Sequence, residues 1–498
     1  MLDWFHSIYQ RLTADGSTTE QAVRSGIWAA GINVGDRILQ LLKVVILARL
    51  LSPGAFGLLG IALLAIAALR QFSKLGFDEA LIQHEDEDVD AYLNTAWMIK
   101  IIRGFVIALT AFLIAPYLAV FFGEPKAEPL IRVIGVSPLV LGLQNPAVMY
   151  FQKNLNFHRE FIYQVGGRLV DLVVAVVIAF VFRSVWALVA GIVAMNAIKL
   201  IISYRIHKFR PNIEFNLGYG REMFGFGKWM FASAILVFLY RQGDDAFVGW
   251  FFTATSLGFY QIAYRFSNAP ATEVTHVISR VAFPAFSKVQ NDKERLREGY
   301  FRVIQLSTTI GFPMAAGIAA VTPQFVQVVL GNQWGPMVPL MQVLAIAGGL
   351  RAFAANSGAV FKAVGRPDYD VKLQAFKTGT IAITIFPAAE HFGVPGVAFV
   401  ILGSALLMQL PLIYAVLFVI EGTIQEFIDR LIYPFISSVL MFLIVVGVDR
   451  YLFVQVGFAE MALLISTGVI SYVSFMLIAE RYTECEFLQL YYSIRQVI

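Results

Sequence analysis

The chain has 498 residues, of which 58% are hydrophobic and only 14% charged, with a formal net charge of +4 and a mean hydropathy of +0.70. Soluble domains carry about a quarter charged residues, so this composition excludes a soluble enzyme or a nucleic-acid-binding protein and places the chain among polytopic membrane proteins. A lone cysteine, Cys485, excludes an intramolecular disulfide framework and a cysteine-based zinc site, and the histidines show no metal-ligand spacing.

Residues 1–21 lack the basic region, apolar core and cleavage site of a signal peptide. Trp4, Ile8 and Leu12 share one face of a short helix able to lie on a membrane surface, although a frayed polar tail fits equally. Beyond them, apolar runs of about 20 residues predict an all-α integral membrane protein with about fourteen spans. These fall at 22–48, 56–75, 93–122, 130–151, 160–182, 185–206, 223–252, 256–283, 301–322, 336–361, 371–391, 395–419, 429–449 and 455–479. Pro138, Pro146, Pro270 and Pro313 lie within spans, where packed membrane helices tolerate them. Lysines and arginines concentrate in the loops of one side, from Lys153 and Arg159 through Lys293 and Arg297 to Arg430. By the positive-inside rule both termini are cytoplasmic in a multi-pass cell-membrane protein. The acidic run QHEDEDVD (83–90) reads as a solvated loop despite its D-x-D patterns, and NDKERLRE (291–298) as a charged connection suited to hinging. Trp28, Trp97, Trp186, Trp229 and Trp250 sit near span ends, as an interfacial belt does.

An internal repeat organises these spans. When VVILARLLSPGAFGLLGIALLA (44–65) is written above DAFVGWFFTATSLGFYQIAYRF (245–266), Gly57 falls on Gly258 and Ala62 on Ala263. The offset covers six spans, an even number, so the copies share one orientation. The expected organisation is a segment 1–21, an N-lobe 22–210 and a C-lobe 211–420, the lobes related by a pseudo-two-fold axis in a V-shape. A remainder, 421–498, holds the last two spans and a tail.

The stretches LARLLSPGAFGLLGIA (47–62), GDDAFVGWFFTATSLGFYQIAYRFSNAP (243–270) and FPAFSKVQNDKERLREGYFR (283–302) resemble Wzx-type polysaccharide flippases of the multidrug/oligosaccharidyl-lipid/polysaccharide superfamily. The resemblance covers roughly residues 22–420. It implies alternating-access translocation of a lipid-linked oligosaccharide, a polyprenyl-(pyro)phosphate glycan, from the cytoplasmic to the outer leaflet. It further implies no cofactor, energy from an H+ or Na+ gradient or the membrane potential, action as a monomer, and contact with membrane lipids and glycan polymerase or export machinery. No ATPase-type G-x-x-x-x-G-K motif is present.

Such a substrate has an anionic head, which calls for cations within the spans. Arg37, Arg168, Arg241, Arg265, Arg351 and Lys377 are the candidates for a phosphate and glycan cavity, arginine being favoured because its fork grips two oxygens. The resemblance places Arg265 near an arginine common on the eighth helix of related lipid flippases. Alternatives stay open for several cations. Arg37 adjoins Asp36, Arg168 can pair with Asp171 at i, i+3, and Arg351, among small residues, can serve helix packing. Arg70, Lys74, Lys100, Lys199 and Lys228 lie near span ends and can snorkel. Glu273, His276 and Arg280 share a helix face, either as a proton-responsive group or as a solvated stripe. Lys43, Asp244, Asp245, Asp36 and Asp171 are candidates for a gate or for ion coupling, with Lys43 meeting Asp244 or Asp245 across the repeat. Two rivals remain: an ion-coupled multidrug or cation antiporter of the same superfamily, and a membrane glycosyltransferase or polymerase.

Overall fold

The computed structural model describes residues 18–73, 89–149, 151, 157–213, 227–452 and 457–482. Trp4, Ile8, Leu12, Lys74, Cys485 and the QHEDED part of the acidic run lie outside the described residues, as do the side chains of Lys228, Glu273, His276 and Arg280. Among the described residues every regular element is a helix. A bilayer imposes this, because each backbone N–H and C=O must find its partner inside the protein. The chain divides into two compact units, Met1–Gly258 and Phe259–Ile498.

In the first unit, α1 (Thr18–Leu50), α2 (Pro53–Phe72) and α3 (Val89–Phe121) are long helices. The fourth predicted span is broken into α4 (Ala127–Gly135), α5 (Ser137–Gly142) and a 3-10 turn over Pro146–Met149. Pro138 stands in the first turn of α5 and Pro146 opens the 3-10 turn, where a missing N–H costs little. Glycines then bring α3 and α5 together: a side chain on Gly104 would begin 2.6 Å from the Pro138 carbonyl oxygen, and one on Gly142 2.5 Å from that of Lys100. α6 (Phe157–Phe182) packs on both α1 and α7 (Trp186–Ile206), while α8 (Gly227–Phe251) packs on α2.

The repeat has a structural counterpart where α2 meets the start of α9 (Ala254–Ser267). A Cβ on Gly57 would fall 1.6 Å from the Ala254 carbonyl oxygen, and one on Gly258 would fall 2.1 Å from that of Pro53. Pro53 and Ala254 are themselves equivalent in the repeat, as are Gly57 and Gly258. The first turns of α2 and α9 therefore cross reciprocally, backbone on backbone, which only glycine permits.

In the second unit, α10 (Ala269–Lys288) follows a break at Asn268, with Pro270 in its first turn. α11 (Lys293–Phe325) begins at Asp292, whose side chain accepts from the Arg295 backbone N–H at 3.1 Å. The NDKERLRE run is thus not the hinge-like connection expected. Asp292 caps a helix, and Lys293 and Arg297 fasten its start by donating to the Val419 and Glu421 carbonyls. A π-helical turn (Val326–Leu330) and a 3-10 turn (Asn332–Met337) lead to α12 (Val338–Ala354) and α13 (Ser357–Ala363). α14 (Asp368–Ile420) carries the eleventh and twelfth predicted spans and breaks at Gly393, whose φ of 65° and ψ of −150° suit glycine alone. A capping box opens α15 (Ile424–Leu452): the Thr423 N–H donates to Glu426 Oε2 at 2.8 Å and the Glu426 N–H to Thr423 Oγ1 at 3.3 Å. α15 and α16 (Phe458–Tyr482), the helices outside the repeat, pack on α11. There Arg430 donates to Gln305 Oε1 at 3.1 Å and Tyr472 to the Thr309 carbonyl at 2.8 Å.

Among the described residues, nine helical segments are long and apolar enough to cross a bilayer. One of them, Asp368–Ile420, has 53 residues and, at about 80 Å, suffices for two crossings. The predicted spans outside that set are the broken fourth and eighth and the charge-bearing first and seventh. The first holds Asp36, Arg37 and Lys43; the seventh holds Arg241, Asp244 and Asp245.

Candidate functional site

α1 presents Asp36, Gln40 and Lys43 at i, i+4 and i+7, so all three share one face. α6 presents Gln164, Arg168 and Asp171 at the same spacing. The two helices approach closely where Gly31 and Gly35 leave room for Phe161 and Val165. At this contact Lys43 Nζ donates to Asp171 Oδ1 at 2.5 Å, and Arg168 Nη1 reaches Asp171 Oδ2 at 3.4 Å. Arg168 Nε donates to Asp36 Oδ1 at 2.7 Å, and Gln40 Nε2 to Asp36 Oδ2 at 3.0 Å. All four carboxylate oxygens are thereby engaged by the chain's own donors. Asp171 is only 1% exposed, and α7 lays Gly191 against it so tightly that a Cβ there would sit 2.5 Å from Oδ1. A carboxylate so deeply buried is tolerable only because two cations meet it.

The Arg168–Asp171 pair is the one expected from i, i+3 spacing. Helix spacing did not disclose that Arg168 also grips Asp36 across the α1–α6 contact, nor that Lys43 is ion-paired with Asp171. Asp244 and Asp245, expected opposite Lys43, are half-buried on α8, and Arg241, one turn before them, is exposed. Lys199 does not simply snorkel: its Nζ donates to Gln164 Oε1 at 2.7 Å and lies 5.1 Å from the centre of the Tyr163 ring. Gly167 admits its stem. Tyr163 in turn donates to Gln144 Oε1 at 2.5 Å, extending the polar face of α6. Arg103 ties off the end of α2, donating to the Arg70 carbonyl at 2.9 Å and to Ser73 Oγ at 3.1 Å.

In the second unit the guanidinium carbon of Arg351 lies 4.8 Å from the centre of the Tyr264 ring, a cation–π contact between α12 and α9. Arg265 on α9 and Lys377 on α14 are half-buried. Gln40, Gln164, Tyr163 and Tyr264 were not singled out in the sequence. Their signal was positional, the recurrence of polar residues at helical spacing inside an apolar run, and being uncharged they did not register as anomalies.

Two compact helical units with ionisable side chains held inside apolar spans, among the described residues, are the general plan of a polytopic membrane transporter. The fold agrees. It is similar to the inward closed lipid II flippase MurJ, with a TM-score of 0.73 at 14% identity, covering 91% of this chain and 99% of that one. It is also similar to an inward-facing multidrug resistance MATE transporter, with a TM-score of 0.61 at 16% identity, covering 78% and 96%. The family described as "Polysaccharide biosynthesis protein" matches residues 46–339, more than half of the sequence, and the chain belongs to that family. Among its relatives, lipopolysaccharide biosynthesis protein WzxC of Escherichia coli K12 is 28% identical over 385 residues, 76% of this chain and 78% of WzxC. Teichuronic acid biosynthesis protein TuaB of Bacillus subtilis 168 is 23% identical over 435 residues, 87% and 90% of the two chains. Succinoglycan biosynthesis transport protein ExoT of Rhizobium meliloti 1021 is 26% identical over 340 residues, 68% of each chain.

Proposed function

We propose that this protein is an alternating-access flippase that carries a lipid-linked oligosaccharide, built on a polyprenyl phosphate or pyrophosphate, from the cytoplasmic to the outer leaflet for polysaccharide export. No covalent bond changes in this reaction. The observation that carries the reading is the excess of in-span cations over acids in a chain of this family: the first twelve predicted spans hold 19 lysines and arginines, Arg37, Lys43, Arg168, Lys199, Arg241, Arg265, Arg351 and Lys377 among them, against the seven acids Asp36, Glu160, Asp171, Asp244, Asp245, Glu273 and Glu390. An anionic head crossing a low-dielectric layer needs such compensation. Both termini are assigned to the cytoplasm from the loop lysines and arginines. We take the protein to work as a monomer, handing its product to polymerase or export machinery.

The cation-antiporter alternative is disfavoured by the α1–α6 contact, where the carboxylate oxygens of Asp36 and Asp171 already hold internal donors. Coupling to H+ or Na+ at these acids would require one of those bonds to open first. Asp244 and Asp245 stay assigned to gating on the outer side of α8. The reading is tested by reconstituting the protein in liposomes with labelled lipid-linked glycan and measuring leaflet transfer. Transfer above protein-free vesicles is expected; none, alongside binding of cationic dyes, would point to the antiporter. In the same vesicles Lys43→Met is expected to make transfer depend on Na+ or acid pH, because Asp171 loses the nearer of its two cations and Oδ1 is left to recruit another. Equal ion dependence of wild type and variant would remove Lys43 from the coupling scheme.

A further inference from the structure

The nominated arginines are not equivalent. Arg168 spends its Nε on Asp36 and its Nη1 on Asp171. Arg351 differs: its Nε and Nη2 are shut off from solvent and have no hydrogen-bond partner among the described residues. Its recorded contact is with the face of the Tyr264 ring at 4.8 Å. A ring face attracts the cation but offers no acceptor to N–H groups lying in the guanidinium plane. Nε and Nη2 form one edge of the guanidinium, with their N–H bonds parallel, and this edge grips two oxygens of a phosphoryl or carboxylate group at once.

Arg351 stands in the last turn of α12, just before the break that separates α12 from α13. Around it α12 is clamped by small residues. A Cβ on Gly348 would begin 2.3 Å from the Ser267 carbonyl oxygen, one on Gly349 2.8 Å from Ala315 Cβ, and one on Gly311 3.0 Å from Ala352 Cβ. Asn268, at the break between α9 and α10, also keeps a buried Oδ1 with no hydrogen-bond partner among the described residues. That is an acceptor suited to a hydroxyl rather than to an anion.

A buried cation with an empty donor edge weakens a fold that a methionine there would serve as well. We propose that Arg351, braced by Tyr264, is an anion fork that binds a phosphoryl group of the transported lipid when α9 moves off α12. This rests on the flippase reading and deepens it by naming the residue that takes the phosphate. Because both nitrogens are enclosed here, the fork is closed in this conformation.

The test uses the full-length protein in nanodiscs and two probes, inorganic pyrophosphate in solution and undecaprenyl phosphate in the bilayer, with phosphatidylglycerol as the ordinary anionic-lipid control. Arg351→Lys keeps the charge and the ring contact but loses the fork; Arg351→Met removes both. Arg351→Lys is expected to keep the wild-type melting temperature, and Arg351→Met to keep or raise it. Both should bind undecaprenyl phosphate at least about tenfold more weakly than wild type, with phosphatidylglycerol binding unchanged. Parallel weakening of pyrophosphate binding shows that the fork recognises the phosphoryl group itself, and weakening confined to the lipid probe shows recognition only with the chain attached. Wild-type binding of both probes by a folded Arg351→Lys overturns the proposal, as does equal loss of phosphatidylglycerol binding. Should Arg351→Met fail to fold, Arg351→Lys decides. Absence of glycan transfer by the wild type would sink the flippase reading while leaving this binding contrast intact.

Discussion

Asp171→Ala is expected to destabilise the protein by about 3–5 kcal/mol, the range seen when one member of a buried ion pair is removed, and to abolish transport. Asp171 is 1% exposed and holds Lys43 at 2.5 Å and Arg168 at 3.4 Å. Its loss takes a carboxylate from both cations beside the Gly191 backbone, while Arg168 keeps Asp36. The informative comparison is Lys43→Met combined with Asp171→Leu, which removes a charge of each sign. If the cost of Asp171→Ala comes from stranded charge, the double variant melts above the single one despite carrying more substitutions. Thermal unfolding in one detergent measures both. A double variant that melts lower would show that packing around Asp171, and not its charge, holds α1 to α6.

Gly57→Ala is the second change with a large expected effect, a loss of more than about 3 kcal/mol from forced overpacking. The added methyl would lie 1.6 Å from the Ala254 carbonyl oxygen, and a backbone atom in a helix's first turn cannot step aside as a side-chain tip can. Gly258→Ala, 2.1 Å from the Pro53 oxygen, should do the same from the other side of the crossing. Gly243→Ala is the control: it lies in α8 with its nearest neighbour, Leu239 Cβ, at 3.9 Å. It should be neutral or stabilising by roughly 0.5–1 kcal/mol, the gain from replacing a helix-interior glycine. Monodisperse yield from membranes and the melting temperature report all three. Wild-type behaviour of Gly57→Ala would mean that α2 and α9 do not meet as described.

Much of this architecture was legible in the linear chain because a bilayer acts on each segment separately. Apolar length fixes a span, and backbone satisfaction fixes a helix. Pro138 and Pro270 fall where the fourth and eighth spans break. The register of the repeat set Gly57 against Gly258 as equivalent positions, but equivalence did not say that they touch. NDKERLRE was misjudged because its charges resemble a solvated connection, whereas Asp292 turns most of it into the start of α11.

The sequence by itself determined which helices carry charge and which side chains share a face, since helical periodicity is a property of one segment. Only the tertiary structure decided the partners. The repeat set Lys43 toward Asp244 or Asp245, and the packing of α1 on α6 brings Asp171 to its Nζ. Arg168 and Arg351 looked alike as in-span arginines until one was found between two carboxylates and the other on the Tyr264 ring, with two nitrogens unsatisfied among the described residues. The physical reason is that desolvation and pairing depend on atoms of other helices within a few ångströms, and one-dimensional spacing does not specify which helix supplies them.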